Sequence, residues 1–112
     1  MSRRESDDTV IRLSRLEEDV LTLLVGRELY GLAILEASKS ASGGSHPIRI
    51  GSLYPVLYKL EKKGLVRSWW GTERPEERGG ARRRYYTVTG LGAQVLTAYE
   101  LLRHQVAQWQ PA

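Results

Sequence analysis

The side chains with the greatest chemical reach in this chain are hydroxyls, phenols, ammonium groups and guanidinium groups, and they fall in two runs. Ser52, Tyr54, Tyr58, Lys59 and Lys62 stand in the first; Arg82, Arg83 and Arg84 form the second. Such groups donate to phosphate oxygens and base edges; they do not make a matched acid and base. The two histidines, His46 and His104, have no carboxylate, serine or second ligand at a recognisable motif spacing. There is no H-E-x-x-H, phosphate-binding loop or G-x-S-x-G. Cysteine is absent, which excludes disulfides, thiolate metal sites and thiol nucleophiles. The expectation is a protein that is not an enzyme and carries neither metal nor cofactor.

The first run lies in Ile50 to Gly64, where Leu53, Val56, Leu57 and Leu60 recur at three- and four-residue steps. That spacing predicts a helix with one buried face. Its other face then presents Ser52, Tyr54, Tyr58, Lys59 and Lys62. Ser52 reads as the N-cap, which puts Pro55 in the first turn, where its missing N–H is not needed. Gly64 ends the helix. An ordinary amphipathic helix with a solvated basic face is the alternative, and a reading helix followed by a hairpin is the functional one.

A chain of 112 residues supports one domain with one core, small enough that a partner subunit could complete it. The 17 Lys+Arg and 13 Asp+Glu leave a net charge of +4, and the pI is near 9.6. From Ile48 to Arg84 there are ten basic and four acidic residues, whereas the rest is net −2. A polyanion would therefore meet one region of the surface. No apolar run approaches the roughly 18 residues of a membrane span, and no signal-peptide core is present. The basic residues do not line one amphipathic helix, so a membrane partner is not expected and a cytoplasmic location is.

Other elements must position those two runs. Residues 1–12 are polar and without period and read as a flexible arm. Ser14-Arg15-Leu16-Glu17 fits a capping box, opening a helix that buries Leu16, Val20, Leu23 and Leu24 and stops at Gly26. Its acids Glu17, Glu18 and Asp19 suit the positive end of the helix dipole. Leu29-Tyr30-Gly31 reads as a tight connection into a second helix, which runs out in the Ser/Gly-rich stretch Ser38 to Ser45. Ile48 to Ile50 reads as a short strand. Two further strands, Leu65 to Thr72 and Arg82 to Val88, flank a Pro/Gly-rich charged loop, making a wing with a basic tip that includes Arg78.

Thr89 to Trp109 is the longest helix. Leu91, Val95, Ala98, Leu102 and Trp109 form one stripe, with Leu96, Tyr99 and Val106 beside it. The width of this surface points to a subunit contact through Leu91, Val95, Ala98, Tyr99, Leu102, Val106 and Trp109. Docking on the same chain's core is the alternative.

The run G-S-L-Y-P-V-L-Y-K-L-E-K-K-G-L-V, followed by G-G-A-R-R-R-Y-Y-T-V-T-G-L-G, resembles the PadR family of bacterial transcriptional regulators, including short cyanobacterial members. The likeness also covers L-x-x-D-V-L-x-L-L at Leu16 to Leu24 and L-Y-G at Leu29 to Gly31, so it spans Leu13 to about Tyr99. It implies an α+β, mostly α, winged helix-turn-helix at residues 13–88, a C-terminal dimerisation helix at 89–112, and promoter binding, usually as a repressor. Some short members hold flat aromatic drugs between subunits with a Trp about three turns into the last helix. The matching position here is Arg103, so that activity is not carried over. The wing insert Glu73 to Ala81 also exceeds the commonest length.

A winged helix places its third helix in the major groove and its wing along the backbone or minor groove. On that reading Ser52 and Tyr54 touch base edges or nearby phosphates and Pro55 makes an apolar contact. Tyr58 and Lys59 hold the backbone, with Lys62 at the margin. Tyr30 could give its hydroxyl to a phosphate or be a core tyrosine; Tyr54 could pack on the first helix instead. Arg49 could clamp a phosphate. Strand alternation lets two of Arg82, Arg83 and Arg84 face DNA. The expected partners are double-stranded DNA with a pseudo-palindromic site and a second copy of the chain. A rival function is a sensor whose pocket for a small aromatic effector uses Trp109, Tyr99 or the Trp69-Trp70 pair.

Overall fold

The computed structural model describes residues 11–73 and 82–112. Among these the chain forms α1 (Arg15–Leu24), β1 (Leu29–Tyr30), α2 (Gly31–Ala41), α3 (Ile50–Lys62), β2 (Val66–Trp70), β3 (Arg84–Val88) and α4 (Gly90–Gln108). The wing loop, Arg78 included, and the first ten residues lie outside the described residues.

The capping box at α1 forms as its sequence predicts. The Ser14 hydroxyl accepts from the Glu17 N–H at 3.1 Å, and Glu17 accepts from the Ser14 N–H at 2.7 Å. Val20, Leu21 and Leu24 are fully buried, while Leu16 and Leu23 pack on the core from its margin. Leu21 is thus a core residue that the helix reading omitted. After α1 the Arg27 N–H returns to the Leu24 carbonyl at 2.9 Å, with Gly26 at φ 73°, a turn whose third position favours glycine.

Leu29 and Tyr30 were expected in a plain connection. They form a strand instead, antiparallel to β3, with Leu29 opposite Tyr86 and Tyr30 opposite Tyr85. The sheet therefore has three strands in the order β1-β3-β2. Two residues carry no period of their own, so this strand exists only because β3 supplies its ladder.

Helix α3 starts three residues earlier than the Ser52 cap implies. Arg49 is its N-cap residue, without a side-chain capping bond, and no strand forms at Ile48–Ile50. Ser52 is the third helical residue, and its N–H donates to the Arg49 carbonyl at 3.0 Å. Pro55 consequently sits in the second turn, where it withholds a bond from the Gly51 carbonyl. Both residues are exposed, so water can take that bond's place. At the other end Gly64 adopts φ 78° and the Leu65 N–H reaches the Leu60 carbonyl at 2.9 Å, a Schellman closure.

The core joins Val20, Leu21 and Leu24 of α1, Ile34 of α2 and Leu53, Val56, Leu57 and Leu60 of α3. Leu65, Val66, Tyr86 and Leu96 close it from the sheet and α4. Ile11 and Leu13 pack against this core, and the Arg12 carbonyl accepts from Lys63 at 2.8 Å, so the residues just before α1 are tied to the body. No described helix is long and apolar enough to cross a membrane.

Helix α4 is anchored along its first half. The Thr89 hydroxyl caps it through Gly92 N–H at 3.0 Å and donates to the Gly64 carbonyl at 2.7 Å. Leu96 lies in the core and Val95 packs at its edge. The Tyr99 hydroxyl accepts from the Leu13 N–H at 2.8 Å, and Arg103 pairs with Glu18 of α1. Part of the wide apolar stripe is therefore used within the chain. Beyond that, Leu101, Leu102, Val106 and Trp109 are exposed, Trp109 at 73%.

Candidate nucleic-acid interface

Because Leu53, Val56, Leu57 and Leu60 are all turned into the core, α3 must present its remaining positions outward. Ser52, Tyr54, Pro55, Tyr58, Lys59 and Lys62 are all exposed. Arg49 is exposed at the N-terminal end of the same helix. Lys62 holds its ammonium 5.7 Å from the Tyr58 ring centre, so these two side chains form one cationic-aromatic patch. The hydroxyl end of Tyr54 closes on Gly31 at the start of α2.

The sheet sorts the wing residues by alternation. Trp70 lies opposite Arg84 and Ser68 opposite Tyr86; Trp69 lies opposite Tyr85. Ser68 donates to Glu61 of α3 at 2.7 Å, and Arg84 stands 4.0 Å from the same carboxylate. The face carrying Ser68, Trp70 and Arg84 is therefore the α3 side. Arg82 shares it, since its guanidinium carbon lies 4.9 Å from the Trp70 ring centre, with that of Arg84 at 5.1 Å.

Arg83 belongs to the opposite face, 4.3 Å above the Tyr30 ring. There Tyr30 meets Tyr85 edge-on at 5.6 Å, Tyr85 stacks with Trp69 at 6.1 Å, and Arg67 covers Trp69 at 4.8 Å. Tyr30 is thus neither a core tyrosine nor part of the α3 surface; it ends an aromatic row across all three strands. The Tyr85 hydroxyl donates a hydrogen bond to Glu73, which holds that phenol above its ordinary pKa. Tyr86, facing the core, is raised chiefly by burial.

Arg82 and Arg84 therefore lie on the α3 side of the sheet, and Arg83 does not. Sequence reasoning left open which of the three would differ. It considered Trp70 only with Trp69 as an effector pocket and passed over Glu61; an exposed tryptophan opposite an arginine is a signal visible only once the strand register is known. Lys63, next to Lys62, is bound to Glu17 at 2.8 Å. His46 is exposed beside the Ser45 hydroxyl at 3.2 Å, and His104 is exposed on α4. Among the described residues no cluster of His, Asp and Glu could hold a metal.

Three helices packed behind a three-stranded antiparallel sheet, with β2 and β3 beside an outward α3, define a winged-helix protein. The model of the transcriptional regulator PadR-like family matches residues 20–98, and the chain belongs to that family. It is a transcriptional regulator and not an enzyme. A PadR family regulator from Eggerthella lenta is similar at 30% identity over 82% of this chain and 74% of its own, with a TM-score of 0.70. A PadR-like transcription factor from Bacteroides fragilis shares the fold at TM-score 0.73, with 24% identity over 94% of this chain and 91% of its own. Bacillus subtilis PadR, solved in complex with operator DNA, matches at TM-score 0.67 and 24% identity, over 90% of this chain and 51% of its own.

Proposed function

We propose that this regulator is a homodimeric repressor that seats α3 in the major groove of a pseudo-palindromic operator and occludes the promoter. The observation that carries the reading is the division of α3. Four apolar residues anchor it in the core, and five polar, aromatic or cationic ones face away with Pro55, while Arg82 and Arg84 stand on the α3 side of the sheet. The operator complex of the Bacillus subtilis relative supports the same mode of action.

On this reading Ser52 and Tyr54 meet base edges or phosphates, Pro55 packs against a base or sugar, and Arg49, Tyr58, Lys59 and Lys62 neutralise backbone. Residues 13–88 form the reading domain, with Tyr30 bracing its sheet. The exposed half of α4, Leu102, Val106 and Trp109, together with Leu91 and Ala98, supplies the apolar surface for a second copy. Val95 and Tyr99 contribute from the edge of that surface. No observation favours the sensor alternative. Trp69 and Tyr85 already stack on one another beneath Arg67, and the Tyr99 hydroxyl is taken up by Leu13.

The test is a gel-shift titration on duplexes selected from a randomised pool. Tyr54→Ala and Lys59→Ala are expected to weaken binding while the protein sediments as the wild type does. Binding unchanged in both removes the α3 face from the interface. Neutralising roughly six to ten phosphates would cost about three to five decades of affinity between 50 and 200 mM salt.

A further inference from the structure

Trp70 is half out of the protein, 47% exposed at the end of β2, and two guanidinium groups lie over its ring. An indole placed for packing would be expected to turn inward, as Tyr86 does on the same strand pair. Instead it is the shared platform for Arg82 and Arg84 on the α3 side of the sheet. Arg84 is also drawn to Glu61, whose carboxylate receives Ser68, so the platform is held in a set position relative to α3.

From this geometry we infer that Trp70 is a positioning residue for specificity: it aligns Arg82 and Arg84 as a probe of minor-groove width and base composition. The inference rests on the reading of α3 as the major-groove element. A guanidinium held over an aromatic ring has its rotamers restricted and still carries more N–H groups than the ring or one carboxylate contact can occupy. Narrow, A·T-rich minor grooves concentrate negative potential and attract such cations. In that groove the guanine amino group is what separates G·C from A·T. Without the indole the two arginines keep their charge and can still meet phosphates, but they are no longer aligned to sense the groove floor. The α3 face carries no Asn, Gln or Arg among its outward residues, so composition reading by the wing would add selectivity that α3 supplies sparingly.

The experiment uses the full chain and duplexes selected from a randomised pool, with the base pairs beside the recognised core set to A·T, G·C or inosine·cytosine. Inosine·cytosine keeps the G·C major-groove face but lacks the minor-groove amino group. Wild type is expected to prefer A·T over G·C by about five- to tenfold, with inosine·cytosine binding like A·T. Trp70→Leu is expected to bring that preference within about twofold while binding persists, and Trp70→Phe to retain it, since a phenyl face still holds a guanidinium. Arg82→Lys with Arg84→Lys, which keeps the charge, must lose the preference as Trp70→Leu does. That second variant decides the matter should Trp70→Leu fail to fold.

Retention of the flank preference in Trp70→Leu or in the double lysine variant overturns the proposal, as does inosine·cytosine behaving like G·C. Failure of the underlying reading has a different signature: Tyr54→Ala and Lys59→Ala would leave binding untouched on every duplex.

Discussion

Tyr54 closes over Gly31 so tightly that a methyl group added at Gly31 would collide with its phenol. The first residue of α2 thereby sets where an aromatic side chain of the α3 surface stands. Gly31 has no need of positive φ, so the requirement here is space. Gly31→Ala is expected to fold with a stability change under about 1 kcal/mol, because Tyr54 is 44% exposed and can swing outward. Its operator affinity is expected to fall about tenfold as the phenol leaves its place, roughly 1.4 kcal/mol. Fluorescence anisotropy on a selected duplex, beside a urea titration, separates the two effects; a loss confined to stability would contradict the assignment.

Glu17 and Lys63 give the chain an acid-sensitive contact. Burial alone would push the Glu17 carboxyl up, but the Lys63 ammonium and the Ser14 N–H and hydroxyl outweigh it, and its pKa lies below the ordinary value. A carboxyl lowered in the folded state stabilises the fold above its unfolded pKa, near 4.5, and that contribution fades as pH falls through the folded value. Lys63→Met is expected to cost about 1–2 kcal/mol at pH 7, because a buried carboxylate loses its cation while keeping its Ser14 bond. The difference from wild type is expected to shrink below about pH 4 in denaturant titrations. A difference that is flat with pH would show that the pair carries no linked proton.

These contacts mark where the sequence stops being legible. The buried face of α3 was readable because the three-four spacing of Leu53, Val56, Leu57 and Leu60 fits a helix and not a strand. The Ser14 box and the Gly64 closure were readable because both motifs are local. Glu17 and Glu18 read only as first-turn acids suited to the helix dipole; that both are buried was not legible, since their partners Lys63 and Arg103 lie 46 and 85 residues away. The α3 start was misplaced because Arg49 caps nothing with its side chain, whereas Ser52 is a good cap by type. The stripe of α4 was ambiguous for a similar reason. Leu96 and Leu102 are the same residue type, and only packing sends one to the core and leaves the other exposed.

Gly92 is where α4 meets the start of β2. A Cβ there would strike the Leu65 carbonyl oxygen and crowd the Val88 side chain at 2.8 Å, and neither a carbonyl in the closure after α3 nor a sheet residue can readily give way. Gly92→Ala is therefore expected to destabilise the fold by about 1–3 kcal/mol despite the better helix propensity of alanine. Gly90→Ala, two residues earlier with nothing within 4 Å, is expected to be neutral or slightly stabilising. Thermal unfolding of the pair checks both; equal midpoints would mean that α4 is not seated as described.

Arg103 and Glu18 fix the angle at which α4 leaves the body. Arg103 is the last residue of α4 with a side-chain bond to the rest of the chain among the described residues, and the apolar positions Val106 and Trp109 follow it. If those positions meet a second copy, this ion pair sets the distance and rotation between two α3 helices, because α1 packs on α3 and Glu18 is on α1. One extra base pair between half-sites turns the second by about 34° and moves it about 3.4 Å, enough to break a rigid dimer's register. Wild type is accordingly expected to reject a selected operator lengthened by one base pair. Arg103→Ala is expected to bind the original site several-fold more weakly and to discriminate less between the two spacings. Its cost in stability is expected to stay near 1 kcal/mol, since Arg103 is 46% exposed and partly screened by water. The ratio of affinities for the two duplexes is the readout. A ratio unchanged by Arg103→Ala would place the control of spacing elsewhere, in the helix-to-helix contact itself.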